Sequence, residues 1–469
     1  MGSKRRTWWL VVAAVVVGVA VARVGVVAGV HAAHPGRAVD ANDAPTYVRP
    51  AQSILEDGEF DRAPDSEAPE FVRTPGYPAF LAAVFWVSDD STTAVVVFQA
   101  LLSSLSVLLA ILLGRRLSGS PWVGLAAGVM LALEPLQTAT AGYVATESLA
   151  TVLVAFTAYA AVRFAQSGLA WQWGLAFAAG LVAATYVRPT TFYFVVVAAI
   201  LLGLVALREP ERRTAVLRAG AIALLPCVAL LGAWNVRNHA EVGSWRFSGI
   251  EAVNTYWYRA ADVVAHRDGI SYEDARRDLT AELRRDLGIG VELDDDAYRH
   301  GEPPPELGHE QGAYYDRAST NGVEILRSEP LLLARQIAVG VYSQLVQSGW
   351  VSAFAYFTGE PPPAPVSALG LVAVWTVEAL AVGGMVVSLR RRADGTERLA
   401  HAISIALVAY TIIAASGPEA IGGYRFRVPI WPIWCVYAAI GGQFVAQLVR
   451  ARARRGVPND AAGKPALVL

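Results

Sequence analysis

Long runs with almost no charge recur from one end of the chain to the other, and this recurrence restricts the fold more than any other feature. A helix needs about 20 apolar residues to cross a bilayer. Runs of that kind lie near 7–30, 92–113, 121–141, 144–164, 169–187, 190–207, 214–234, 366–389, 399–415 and 429–449. Composition agrees, because 54% of the 469 residues are apolar and only 17% are charged. A soluble chain is usually about a quarter charged. The expected fold is therefore an all-α polytopic membrane protein, with about 10 transmembrane helices and two large outer-face loops. Cys227 and Cys435 both sit inside apolar runs. Neither a disulfide framework nor a cysteine-based zinc cluster is available.

Charge placement orients the spans. Lys4, Arg5 and Arg6 precede the first run, which puts the N-terminus in the cytoplasm by the positive-inside rule. That run is longer than the apolar core of a signal peptide, so an uncleaved anchor is expected. Alternation then assigns 1–6, 114–120, 163–168, 208–213 with Arg218, 390–398 and 450–469 to the cytoplasm. These pieces hold 19 basic and 5 acidic side chains, leaving 20 basic and 35 acidic for the spans and the outer side. Both termini are expected inside, in a plasma-membrane protein. Residues 331–351 are long enough to span, but counting them would place Arg390, Arg391 and Arg392 outside. With Arg335, Gln336, Gln344 and Gln347 in it, the segment reads as an interfacial or re-entrant helix.

The chain thus divides into an N-terminal membrane module over 1–250 with its first external loop at 31–91, a large external acidic loop over 251–365, C-terminal spans over 366–449, and a basic cytoplasmic tail over 450–469. Within the acidic loop, 251–310 carries 15 Asp or Glu against 7 Arg. Ser271-Tyr272-Glu273-Asp274 has a capping-box pattern. Ala275, Leu279, Leu283 and Leu287 follow at i, i+4 spacing up to Gly288, which predicts an amphipathic helix packing on the membrane domain.

No phosphate-binding G-x-x-x-x-G-K-[ST] loop, no strand-linked G-x-G-x-x-G and no His-Glu-x-x-His pair is present, so the usual nucleotide and zinc chemistries have no carrier. No nucleic-acid partner is expected. The first external loop opens VDANDAPTYVRPAQSILEDGEF and closes EFVRTPGYPAFLAAVFWV. Asp40 and Asp43 fall just beyond the first span, where a carboxylate can serve as a general base. Asp residues after a helix are also ordinary turn formers.

The spacing Asp43-x-x-x-Tyr47, then Gly58 before an aromatic, then Arg73-Thr74-Pro75-Gly76-Tyr77-Pro78, resembles the first external loop of GT-C glycosyltransferases. These polyprenyl-phosphate-sugar-dependent enzymes include relatives of the protein O-mannosyltransferases and the aminoarabinose lipid A transferases. Further fragments follow in order: Thr146-Glu147-Ser148, Val187-Arg188-Pro189, Trp234-Asn235-Val236-Arg237-Asn238 and Tyr424-Arg425-Phe426-Arg427-Val428-Pro429. The resemblance covers most of 1–250 and 416–449, and 251–330 lies outside it. It implies a first-loop Asp as catalytic base, with the spacing to Tyr47 favouring Asp43 and Asp40 remaining open. It also implies a lipid phosphate near the loop's return, where Arg73 stands in place of a Lys. Metal use varies in that family, so a divalent cation stays open.

Arg23, Arg73, Arg188, Arg237, Arg425 and Arg427 all map close to the outer membrane surface. Ionisable groups at that depth are costly and mark functional sites, and a polyprenyl phosphate offers the matching anion. An extended lead-in to the last span would turn Arg425 and Arg427 to one side, with Pro429 favouring that conformation before it. Glu134 and Glu147 flank the turn between the third and fourth spans, as a second acidic element for acceptor or metal. Glu378 lies too deep for that site and calls for a structural partner. The expected activity is transfer of a sugar from a polyprenyl-phosphate-linked donor to a hydroxyl acceptor at the outer face, with inversion. A transporter or flippase of lipid-linked glycans is the alternative, although its hallmark of midplane charge is met only by Glu378.

Overall fold

The computed structural model describes residues 2–39, 43–64, 66–290, 301, 303–390, 395–418 and 423–455. Asp40 and the tail beyond Arg455 lie outside the described residues. Among the described residues the secondary structure is helical, apart from one isolated bridge between Asp61 and Pro69. Among the described residues, eight helices are long and apolar enough to cross a membrane, or nine if one bent pair forms a single span. The remaining expected run, 169–187, forms the 17-residue helix Trp171–Val187. Lipid-facing surfaces are apolar and open: Val17, Val21, Ile200, Leu225, Leu369 and Val372 are each at least 50% exposed. In water such a surface would aggregate, whereas in hydrocarbon it has nothing to escape.

Helix starts and stops follow local chemistry. α1 (Gly2–Ala33) runs into a 3-10 turn, and α2 (Pro45–Glu56) and α3 (Gly76–Ser88) carry the first external loop. The Ser91 hydroxyl accepts from the Ala94 amide to cap α4 (Thr92–Ser118), which ends at Gly119 with φ +70. Ser120 then caps α5 (Pro121–Ala132), with Pro121 in the first turn, where a missing N–H costs nothing. Glu134 and Pro135 break this span, so α6 (Pro135–Ala141) leaves at 57° to α5. α7 (Glu147–Gln166), α8 (Trp171–Val187), α9 (Phe194–Arg208) and α10 (Arg213–Val242) complete the N-terminal module. At its far end α17 (Ala364–Arg390) packs on α19 (Trp431–Arg455), with α18 (Gly395–Ala414) between them in sequence. A Cβ on Gly384 would lie 2.0 Å from the Tyr437 carbonyl, and one on Gly441 2.0 Å from that of Leu380. Small residues are what let two backbones meet this closely in a membrane.

The acidic loop folds as a helical unit: α11 (Ile250–Val253), a π-helical turn (Asn254–Ala260), α12 (Ala261–Asp268), α13 (Tyr272–Asp286) and α14 (Gln311–Ser328). α13 starts as its sequence predicts, with the Ser271 hydroxyl accepting from the Asp274 amide at 3.0 Å. Its apolar face packs elsewhere than expected. Ala275, Leu279 and Leu283 bury against Tyr256, Trp257 and Tyr314 of the same unit rather than on the membrane domain. Trp257 donates to the Thr280 hydroxyl at 2.9 Å, and Tyr256 to the Leu279 carbonyl at 2.8 Å. The unit therefore has its own core, which is a better place for large aromatics than a shared surface. Phe71 from the first loop enters that core beside Tyr315, at 5.6 Å between ring centres. Residues 331–351 form most of α15 (Pro330–Val346), which buries Gln336, Gly340, Ser343 and Gln344. α16 (Trp350–Thr358) follows it.

Candidate active site

The return of the first loop is held from three sides. The Gly249 amide donates to the Phe71 carbonyl at 2.9 Å, and the Ser248 hydroxyl to that of Val72 at 2.5 Å. The Arg73 amide in turn donates to the Glu70 carboxylate at 2.7 Å. At Gly76 the backbone lies so close to the end of α8 that a Cβ would meet the Tyr186 carbonyl at 2.7 Å. This contact brings Arg73 and Arg188 to the same corner of the protein.

There the side chains form a continuous ionic chain. Arg73 donates from Nη2 to Asp43 Oδ1 at 3.0 Å, and from Nη1 to the Tyr47 hydroxyl at 3.1 Å. Its guanidinium also lies 4.6 Å from the Tyr47 ring centre. Arg425 donates from Nη2 to Asp43 Oδ2 at 2.7 Å and from Nε to Glu147 Oε1 at 2.6 Å. Arg188 reaches the same Glu147 oxygen at 3.1 Å and lies over the Phe426 ring at 5.2 Å. Asp43 is thus gripped on both oxygens while its side chain keeps 31% exposure, and Glu147 sits behind it at 1%. Burial raises the Asp43 carboxyl, but Arg73 and Arg425 outweigh burial and hold it well below the usual carboxylate range. Among the described residues Glu147 Oε2 and Arg73 Nε have no hydrogen-bond partner.

Of the six arginines singled out in the sequence, Arg73, Arg188 and Arg425 converge and the other three do not. Arg23 lies inside the helix bundle at 2% exposure and donates to the Ser103 carbonyl and hydroxyl, both at 2.7 Å, and to the Leu131 carbonyl at 2.9 Å. Arg237 donates to the Glu70 and Phe60 carbonyls at 3.2 and 3.4 Å, pinning the first loop to the end of α10. Arg427 turns away from its neighbour Arg425. It donates to the Gln344 and Ser348 carbonyls and meets Glu378 at 3.3 Å. Glu378 thereby has its structural partner.

The expected extended lead-in is corrected here, because Gly423–Ile430 is a 3-10 helix. At three residues per turn, positions two apart point about 120° away from each other. Glu134 is corrected as well. It caps α6 by accepting from the Leu136 amide at 3.2 Å, and with Arg427 and Trp431 it lines a small void rather than joining Glu147. Among the described residues there is no group of three or more His, Cys, Asp or Glu side chains that could hold a metal ion. The sequence reading missed Glu70 and Tyr258. Burial pushes the Tyr258 phenol up, and the Asp43 charge adds to that rise. Nothing local in 251–260 signals this, since the π-helical turn sets its direction.

Comparison with known proteins supports the same frame. Residues 72–234 match the model of the dolichyl-phosphate-mannose-protein mannosyltransferase family. No curated protein matches the chain. The archaeal oligosaccharyltransferase AglB from Archaeoglobus fulgidus, solved with an inhibitory peptide and a dolichol-phosphate, is 14% identical over 95% of this chain and 52% of that one, with a TM-score of 0.51. A second structure of the Archaeoglobus fulgidus oligosaccharyltransferase, tethered to an acceptor peptide, is 12% identical over 93% and 50%, at 0.50. ArnT from Cupriavidus metallidurans, bound to undecaprenyl phosphate, is 14% identical over 97% and 81%, at 0.38. The chain spans about half the length of the two oligosaccharyltransferase structures. The family match is confined to residues 72–234, and the likeness to the oligosaccharyltransferase structures shows a shared fold for the membrane helices.

Proposed function

We propose that the chain is a membrane glycosyltransferase that moves a sugar from a polyprenyl-phosphate-linked donor to a hydroxyl acceptor at the outer face, inverting the anomeric carbon. The observation that carries this reading is the Asp43 carboxylate held between Arg73 and Arg425. Two guanidiniums that grip a carboxylate present the fork geometry that also fits a phosphate. In the free protein Asp43 acts as their counter-ion. A donor phosphate competes for the same guanidiniums, and as they turn to it Asp43 is released.

The freed carboxylate then takes the proton of the acceptor hydroxyl as its oxygen attacks the anomeric carbon. A new carbon–oxygen bond forms while the bond to the phosphate oxygen breaks. The phosphate leaves with the electron pair, stabilised by Arg73 and Arg425, and the proton ends on Asp43. Glu147 positions Arg425 and Arg188 rather than touching substrate. The dolichol-phosphate and peptides bound in the oligosaccharyltransferase structures are consistent with a lipid carrier and an acceptor meeting in this fold. The test is transfer of labelled sugar from a polyprenyl-phosphate donor by the purified protein. Movement of donor across vesicles without transfer would support the transporter instead.

The outer-face assignment has its own test, helped by the burial of Cys227 and Cys435 at 0% and 1%. Asp278 and Glu211 are exposed and fall on opposite sides of the expected membrane. An impermeant maleimide should label Asp278→Cys in intact cells and Glu211→Cys only after lysis. The reverse pattern would put the Asp43 chain in the cytoplasm and remove the outer-leaflet donor from the reading.

A further inference from the structure

At the far ends of α4 and α7 from Asp43 the structure opens a second polar site. Sixteen residues of α7 separate Glu147 from Arg163, or about 24 Å of helix. A cavity of about 490 Å³ lies there, lined by Arg115, Arg116, Arg163, Tyr159, Trp9 and Leu112 among others. Basic residues in the last turns of α4 and α7 offset the helix dipoles, but that explains only their presence. Their arrangement asks for more. The Arg115 guanidinium lies 4.2 Å from the Trp8 ring centre, and that of Arg163 4.2 Å from Trp173. Arg163 also donates to the Tyr159 hydroxyl at 3.3 Å. Among the described residues no carboxylate forms an ion pair with any of the three arginines. Three positive charges thus share one cavity, two of them braced by aromatic faces, without an ion-paired carboxylate among the described residues.

The wall of the cavity indicates what the anion is attached to. Phe98, Leu101 and Leu105 are each more than 40% exposed and continue the line of Leu112 along one face of α4 at i, i+3 and i+7 spacing. Trp9 of α1 lines the cavity and is itself exposed, as is the next residue, Leu10. An apolar stripe therefore runs from the basic cavity into the membrane. We propose that the cavity binds the phosphate headgroup of one anionic phospholipid of the leaflet opposite Asp43, with its acyl chains lying along α1 and α4. A free phosphate shares the headgroup chemistry but has no use for the stripe. Basic pockets between membrane helices are a recurrent setting for such headgroups.

Native mass spectrometry of the full chain, titrated with phosphatidylglycerol or with phosphatidylcholine of the same acyl chains, tests this. The first phosphatidylglycerol should bind about 100-fold tighter than phosphatidylcholine, and each arginine removed should cost about five-fold. The triple variant Arg115→Ala, Arg116→Ala, Arg163→Ala should show no headgroup preference. Should that variant fail to fold, Arg116→Glu, at an exposed side chain, should still cut the preference by reversing one charge. Equal affinity for the two lipids in the unaltered protein, or an unchanged preference in the variants that fold, overturns the proposal. Displacement of the lipid by equimolar inorganic phosphate would assign the cavity to a soluble anion and overturn the lipid assignment. None of these readings depends on sugar transfer.

Discussion

Asp43→Asn should lower the turnover number about 10²–10⁴-fold, the usual worth of a general base, while donor binding stays as tight as in the unaltered protein or tighter. The second half of that expectation comes from the geometry. Asp43 occupies both Arg73 and Arg425 before donor arrives, so an amide at this position removes a competitor for the phosphate. A carboxylate with a purely structural role would behave differently, since its loss would release Arg73 and Arg425 from their places and weaken binding together with turnover.

The pH dependence gives an independent check on the same residue. Because its folded pKa is depressed, Asp43 remains ionised in the free protein down through the usual carboxylate range. The stability drawn from its ion pairs is present above the unfolded pKa of about 4 and is lost only as pH falls through the lower folded value. The profile of kcat/KM, which reports the free enzyme, should therefore show no acid limb from Asp43 above about pH 4. On the proposed mechanism the guanidiniums face the phosphate in the donor complex, and a second anion stands close by. The carboxyl then rises, and the profile of kcat should bend at a higher pH than that of kcat/KM. Coincident acid limbs in the two profiles would mean that donor binding leaves Asp43 in its original grip.

Much of the fold can be read from the sequence because lipid imposes one condition on every residue of a span: the backbone must satisfy itself and the surface must be apolar. A helix start was equally legible where one residue carries it, as at Ser271. The membership of the site was legible only in part. Arg23, Arg188 and Arg427 are alike in sequence, each in or beside an apolar run, yet whether a guanidinium meets a carboxylate or a carbonyl depends on how its helix is rotated. Arg23 faces a carbonyl in the last turn of α5, and last-turn carbonyls lack helical partners. The break at Glu134 and Pro135 that creates this acceptor is visible in the sequence, but the element that comes to fill it is not. Glu147 was recognised as acidic and near the surface. Its clamp on two arginines from separate segments is a long-range fact without a local pattern.

Two arginines two positions apart should therefore fail in opposite ways. Arg425 is 37% exposed and bridges Asp43 to Glu147, whereas Arg427 is 4% exposed and bridges two backbone carbonyls to Glu378. A lysine at 425 keeps the charge but cannot span two carboxylates, or a carboxylate and a phosphate, with one planar fork. Hydrogen bonds to charged groups are worth about 1.5–3 kcal/mol each. Arg425→Lys should accordingly weaken donor binding by about tenfold or more and leave thermal stability nearly unchanged. At 427 the loss falls on the fold instead. Arg427→Ala leaves Glu378 without its partner and two carbonyls without donors, and breaking a buried pair costs about 3–5 kcal/mol. Its yield and melting temperature should fall, while the fraction that folds binds donor normally. Pairing it with Glu378→Leu should recover part of the stability, because the orphaned carboxylate is removed as well. Donor affinity that falls equally in Arg425→Lys and Arg427→Ala, with stability intact in both, would return Arg427 to the phosphate site and show that the 3-10 turn does not separate the two side chains.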